Sequence, residues 1–160
     1  SRVLGDAYKR QAATIPVSME STLKNGISKP VASFVIPLCA TIHLSGSMIK
    51  LTLYAFAIVY MANLDISTST GLGFIFLLGI MMIAAPGVPG GAVMVAAGLL
   101  ADMMGFDDGM VALMIAAYIA IDSVGTAANV TGDGAIAMIV DKFAGSKKDH
   151  TEEESAEATA

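Results

Sequence analysis

Between Leu51 and Ala101 the only charged side chain is Asp65, and between Gly109 and Gly132 the only one is Asp122. Soluble domains carry about a quarter charged residues. Here 14% of the chain is charged and 55% is hydrophobic, and charge is excluded from whole segments. Backbone groups in lipid must be satisfied within the segment, so this distribution predicts an all-α membrane protein. The apolar segments are nevertheless short. Residues 71–85 (GLGFIFLLGIMMIAA) reach roughly 22 Å as a helix, against a hydrocarbon core of about 30 Å. Residues 90–104 (GGAVMVAAGLLADMM) have the same deficit. Neither arm can cross alone, and the stretch joining them, APGVPG, holds two prolines. The economical arrangement is a re-entrant hairpin with its tip near mid-membrane.

A non-helical tip at that depth must be buried in protein or face a wet cavity, because each unpaired backbone group costs several kcal/mol in lipid. Pro86 and Pro89 have no N–H, so the carbonyls of Met82 and Ala85 lose their i+4 donors if the first arm stays helical. Such oxygens can face a cation. The N–H groups of Gly90 and Gly91, opening the second arm, carry the positive end of a helix dipole and can face a carboxylate. An ordinary helix–turn–helix corner is the competing reading of this stretch.

Segment 109–144 is interrupted as well. At 100° per residue from Asp122, Thr126 falls at about 40°, Asn129 at about −20° and Asp133 at about 20°, so four polar side chains share one narrow stripe of an apolar helix. Carboxylates inside a membrane are expensive and mark ion or substrate paths. For Asp133, close to TGDG, the alternative is a cap near the interface. The first half repeats the plan. ATIPVS (13–18) opens an amphipathic arm running to Asn25, GISKP turns the chain, and an apolar helix from Val31 is interrupted at TIHLSGS (41–47) before resuming. Hairpin followed by broken helix, twice, is the pattern of transporter halves built as inverted repeats, with substrate and ions at the midplane.

Other function classes find little support. Asp122 and Asp133 are eleven residues apart, roughly 16 Å by helix rise, too far to act as an acid–base pair on one bond. There is no serine elbow, metal-binding histidine pair or phosphate loop, so the chain reads as a non-enzyme. No basic patch supports nucleic-acid binding. The tail KKDHTEEESAEATA (147–160) reads as a solvated, disordered polar segment. Cys39, the single cysteine, has no internal disulfide partner. The sequence opens on SRVLGD, without an initiator methionine or a leader, which suggests the C-terminal part of a longer chain.

The motifs resemble those of the dicarboxylate/amino acid:cation symporters, the family that includes the glutamate transporters. AATIPVSME is similar to the second arm of that family's first hairpin, and ATIHLSGS to the unwound centre of its seventh helix. APGVPGGA is similar to the tip of the second hairpin, and DSVGTAANVTGD to the ligand-binding eighth helix. The resemblance runs from about Ala12 to Gly145. It implies that residues 1–146 are the C-terminal portion of a transport domain. Their function would then be cation-coupled symport, by an elevator-like movement gated by the second hairpin. In this reading Asp122 holds the substrate amino group, Asn129 binds the α-carboxylate, and Thr126 lies on the same face. The backbone of Gly87, Val88 and Pro89 covers the substrate, and Ser47 stands where a threonine reaches its side chain. Asp133 ligates sodium, with Asn129 beside it. Thr41 and carbonyls near Cys39, Met82, Ile83 and Ala85 complete the cation sites, an oxygen-rich set suited to a hard cation.

The departures from the pattern matter. The family's NMDGT reads HLSGS here, so His43 and Ser45 replace an asparagine and an aspartate that ligate a further sodium. His43, with an ordinary pKa near 6.5, is either a hydrogen-bonded helix residue or a proton carrier. Gly125 occupies the place of the arginine that pairs with an acidic side chain, and without that cation the simplest cargo is a small amino acid with a neutral side chain. Arg10, in the first hairpin, is the alternative source of that charge, and with it the cargo would be an acidic amino acid or a dicarboxylate. The resemblance further implies a membrane-lipid environment, a multi-pass plasma-membrane location and a homotrimer. It implies no cofactor beyond the coupling cation, sodium or a proton. A non-transporting membrane fragment is the remaining alternative. Lys50 and Lys142 read as helix-end residues that snorkel, and the methionines, among them Met82 and Met104, as packing filler.

Overall fold

A computed structural model describes the backbone of residues 11–85 and 90–157 and the side chains of 13–85 and 90–145. Among these residues the chain is all-helical. Seven helices follow in order: α1 (Gln11–Lys24), α2 (Lys29–Ile42), α3 (Ser45–Met61), α4 (Thr68–Met82), α5 (Gly91–Met104), α6 (Asp108–Ala120) and α7 (Asp122–Glu157). α1 begins before the expected breaker and carries Pro16 in its interior. A proline there removes one i→i−4 bond without ending the helix.

Local chemistry sets most of the boundaries. Gly26 supplies a φ of 85° for the turn after α1, and Pro30 opens α2 at its first turn, where a missing N–H costs nothing. The Ser67 hydroxyl accepts from the N–H of Thr70 to cap α4, and the Asp107 carboxylate accepts from Met110 to cap α6. Asp141 reaches across from α7 to take both the N–H and the hydroxyl of Ser28 at the mouth of α2. A carboxylate at a helix N-terminus is favoured by the dipole.

The two interruptions are brief. Only His43 and Leu44 separate α2 from α3, and together they make a 33-residue segment, Lys29–Met61, long and apolar enough to cross a membrane. α6 and α7 meet at Ile121 with a bend of 63°. α4 and α5, with 15 and 14 residues, reach only about 21–22 Å each and pack against each other. Their facing ends are buried: Met82 and Ala85 on one side, Gly91 and Ala92 on the other.

Packing links the halves in a reciprocal way. α1 lies on α2 and α7, the first part of one broken pair and the second part of the other. α5 lies on α3 and α6, the complementary parts. Two apolar clusters result. One joins α3, α4, α5 and α6 around Leu51, Phe74, Leu78, Val93, Leu100 and Met114. The other joins α1, α2 and α7 around Ala32, Val35, Ile36, Cys39 and Ala137. Large apolar side chains such as Phe34, Leu53 and Phe76 remain exposed on the outer faces. α7 continues to Glu157, whereas composition predicted disorder for 147–160. Glu, Ala and Lys have high helix propensity, and extending an existing helix needs no new nucleus.

Candidate functional site

The break between α2 and α3 is pressed against the N-terminal half of α7. The approach depends on missing side chains. A Cβ on Gly46 would lie 2.6 Å from the Cβ of Ala128 and 2.7 Å from the carbonyl of Gly125, and a Cβ on Gly132 would collide with the His43 ring. Small residues on both surfaces bring two backbones together, as helices in membranes require where polar groups must meet.

Into this contact α7 projects its polar stripe. Thr126, Asn129 and Asp133 are buried, at 6%, 1% and 2% exposure, and the Asp122 side chain is 12% exposed. Asn129 is held at both ends. Its Oδ1 accepts from the N–H of Gly46 at 2.8 Å and of Ser47 at 3.3 Å, and its Nδ2 donates to the Ser47 hydroxyl at 3.2 Å. The two N–H groups belong to the opening turn of α3, which has no intrahelical acceptors of its own. The Asn129 oxygen therefore serves as their cap, and the amide orientation is fixed with its NH2 edge toward Ser47. The Thr126 hydroxyl returns to the Asp122 carbonyl at 3.3 Å. Asp133 lies 2.7 Å from Nδ1 of His43, which is partly exposed. A cap near the interface is thus not the role of Asp133: it is buried and engaged with the opposite broken helix.

Lys50 departs from the sequence reading. It does not snorkel outward but is 8% exposed, because its place on α3 faces the α6–α7 break. Its Nζ donates to the carbonyls of Tyr118 (3.1 Å) and Ile121 (3.3 Å) and to Oδ1 of Asp122 (3.4 Å), and it lies 3.6 Å from the centroid of the Tyr118 ring. Gly125 makes room for it, since a Cβ there would come within 3.3 Å of Nζ. A cation delivered from α3 therefore lies beside Gly125 on α7. One signal in the sequence was available: Lys50 is three residues beyond Ser47, hence about 60° from it on the helix surface.

The remaining candidates divide. The Thr41 hydroxyl donates to its own helix at Leu38, and its side chain is exposed. The Cys39 carbonyl accepts the N–H of His43 at 2.8 Å, and its thiol is buried in the apolar cluster. The carbonyl of Met82, expected without a donor, accepts the N–H of Ala85 at 3.2 Å as α4 tightens at its end. The Ile83 side chain is exposed and Ala85 is buried. Gly87, Val88, Pro89 and Arg10 lie outside the described residues.

The oxygens of Asn129 and Asp133 are the right kind for a hard cation. In this arrangement, however, Asn129 Oδ1 is committed to two N–H groups and Asp133 to the His43 ring. They do not form an open oxygen shell.

A family model described as the sodium:dicarboxylate symporter family matches residues 11–143. The matched span takes in both breaks and every polar side chain of the stripe.

Proposed function

The chain belongs to the sodium:dicarboxylate symporter family, and on that premise we propose that it forms the substrate-binding, moving part of a cation-coupled symporter for a small amino acid. Membership makes it a membrane transport protein of the cation-coupled kind. Such a protein works by binding and release and makes no covalent bond. The observation that carries the finer reading is the polar stripe of α7: Thr126, Asn129 and Asp133 are buried, Asn129 and Asp133 meet the α2–α3 break, and the nearly buried Asp122 meets Lys50. Asp122 offers a carboxylate to an ammonium. Asn129, clamped through its oxygen, turns toward a substrate carboxylate the NH2 edge that donates to the Ser47 hydroxyl in this structure. The α4–α5 pair, joined by residues 86–89, acts as the gate, and the domain moves as an elevator between the two faces of the membrane.

A neutral side chain on the cargo is the reading supported by glycine at position 125, where the resemblance leads one to expect an arginine. A second reading, an acidic amino acid or a dicarboxylate, is favoured by the Lys50 ammonium beside Gly125, a better-supported cation than Arg10. The coupling cation supplies charge compensation for the carboxylates as they move through a low-dielectric path. Sodium is the first choice, from the family description. The contact of His43 with Asp133 favours a proton as the second.

The deciding experiment is thermal stabilisation of the full-length purified protein by neutral amino acids, acidic amino acids and C4 dicarboxylates, in sodium and in choline, at two pH values. A hundredfold excess over Kd stabilises by about 2.7 kcal/mol. A sodium-dependent shift with neutral amino acids supports the first reading. A shift with acidic ligands alone selects the second, and no shift with any ligand under any ion refutes both.

A further inference from the structure

The Lys50 ammonium occupies a cage that the α6–α7 break creates. An ammonium has three N–H donors and no acceptor. Here three oxygens surround it: the carbonyls of Tyr118 and Ile121 and one carboxylate oxygen of Asp122. Tyr118 lies in the last turn of α6 and Ile121 is the residue that caps it, where the negative end of the helix dipole falls and carbonyls lack a full set of helical donors; the Ile121 carbonyl also accepts the N–H of Val124 at 3.3 Å. The Tyr118 ring closes a further side at 3.6 Å, and an aromatic face attracts a cation. Gly125 leaves the volume open, since a Cβ would stand 3.3 Å from Nζ and 3.4 Å from Cε. Main-chain oxygens at a broken helix, a carboxylate and an aromatic face are the fittings of a monovalent-cation site.

We propose that the α6–α7 break is a monovalent-cation cage whose permanent occupant is the Lys50 ammonium, so that Asp122 is neutralised without any cation from solution. A carboxylate carried uncompensated through the membrane is costly, and breaking a buried ion pair by removing one partner leaves that cost exposed. Tethering the cation to α3 removes the requirement for a soluble ion at this position and ties the two broken helix pairs together at their bends. A substrate ammonium then shares Asp122 with Lys50 and is not its sole counter-charge. The inference is independent of which substrate is carried.

The test uses Lys50→Ala in the full-length detergent-solubilised protein, melted in N-methyl-D-glucamine chloride. n-Propylammonium, sodium or tetramethylammonium is then added at matched ionic strength. The variant is expected to melt several degrees below the unaltered protein and to recover in a saturable way with n-propylammonium, which has three N–H donors on a short stem. Tetramethylammonium, with none, should not restore it, and the unaltered protein should not respond. A variant that neither n-propylammonium nor sodium restores, or an unaltered protein that responds equally, overturns the proposal. The double variant Lys50→Ala/Asp122→Asn guards against failure of the single one to fold. With both charges removed it is expected to be more stable than Lys50→Ala and insensitive to n-propylammonium. A double variant no more stable than the single one means that Lys50 contributes only its packing stem, which overturns the cage.

Discussion

Gly46→Ala is expected to destabilise this protein strongly, because the added methyl meets a helix backbone and a clamped amide. The new Cβ would lie 2.6 Å from the Cβ of Ala128, 2.7 Å from the Gly125 carbonyl and 3.2 Å from Asn129 Oδ1. Carbon atoms prefer separations of about 3.5–4.0 Å, so α3 must retreat from α7 by about 1 Å. None of the three obstacles is the free end of a flexible side chain. Overpacking of this kind costs about 1–3 kcal/mol. The retreat also stretches the 2.8 Å bond from the Gly46 N–H to Asn129, and a buried group left unsatisfied adds about 1–3 kcal/mol. The sum is about 2–6 kcal/mol. Gly134→Ala, on α7, and Gly98→Ala, on α5, serve as controls, since nothing lies within 4 Å of either added Cβ and Ala is the better helix former by about 1 kcal/mol. Thermal unfolding of the three variants in detergent, with ligand affinity measured on the same samples, gives the comparison. Should Gly46→Ala melt with the two controls and bind ligand normally, the close approach of α3 to α7 would not hold the site together.

Asp122→Asn should fold, because its amide oxygen can still accept from Lys50, but should weaken amino-acid binding by about 10- to 100-fold through loss of a charge-assisted bond worth about 1.5–3 kcal/mol; titration calorimetry showing unchanged affinity would rule out an ammonium on Asp122. Gly125→Arg should lose thermal stability, since the new side chain starts 3.3 Å from Nζ of Lys50 and brings a like charge. The same change in a Lys50→Met background should be tolerated and should shift preference toward acidic ligands, and equal melting of the two backgrounds would place Lys50 away from Gly125. Asn129→Leu strands the buried N–H of Gly46, and a loss of roughly 1–3 kcal/mol is expected in a denaturation assay; a variant as stable as the parent would mean that α3 opens without that cap.

The stripe on α7 was legible because one number, 100° per residue, fixes which side chains share a helix face. Asp122, Thr126, Asn129 and Asp133 had to lie together, and the burial of Thr126, Asn129 and Asp133 follows once apolar residues cover the rest of the helix. The break at His43–Leu44 was legible from polar and glycine residues inside an apolar run, whereas the interruption expected within 109–144 had no position until the structure put it at Ile121. Lys50 was not read correctly, for a physical reason. Five residues into α3, it resembles a residue near a helix end, and helix ends normally sit at the interface where lysines snorkel. α3 begins instead at a break in a continuous 33-residue segment, so its first turns lie within the protein. Depth is a property of the pair of helices and cannot be read from either alone. The ammonium is tolerated there only because the second break, 68 to 72 residues later in the chain, presents three oxygens at the same level. Each break leaves polar groups that the other satisfies: Asn129 caps the N–H groups of Gly46 and Ser47, and Lys50 fills the carbonyls of Tyr118 and Ile121. Two interrupted helices that would each be unfavourable in lipid become stable as a crossed pair, and that mutual dependence is what lets the polar stripe of α7 face the α2–α3 break from inside the protein.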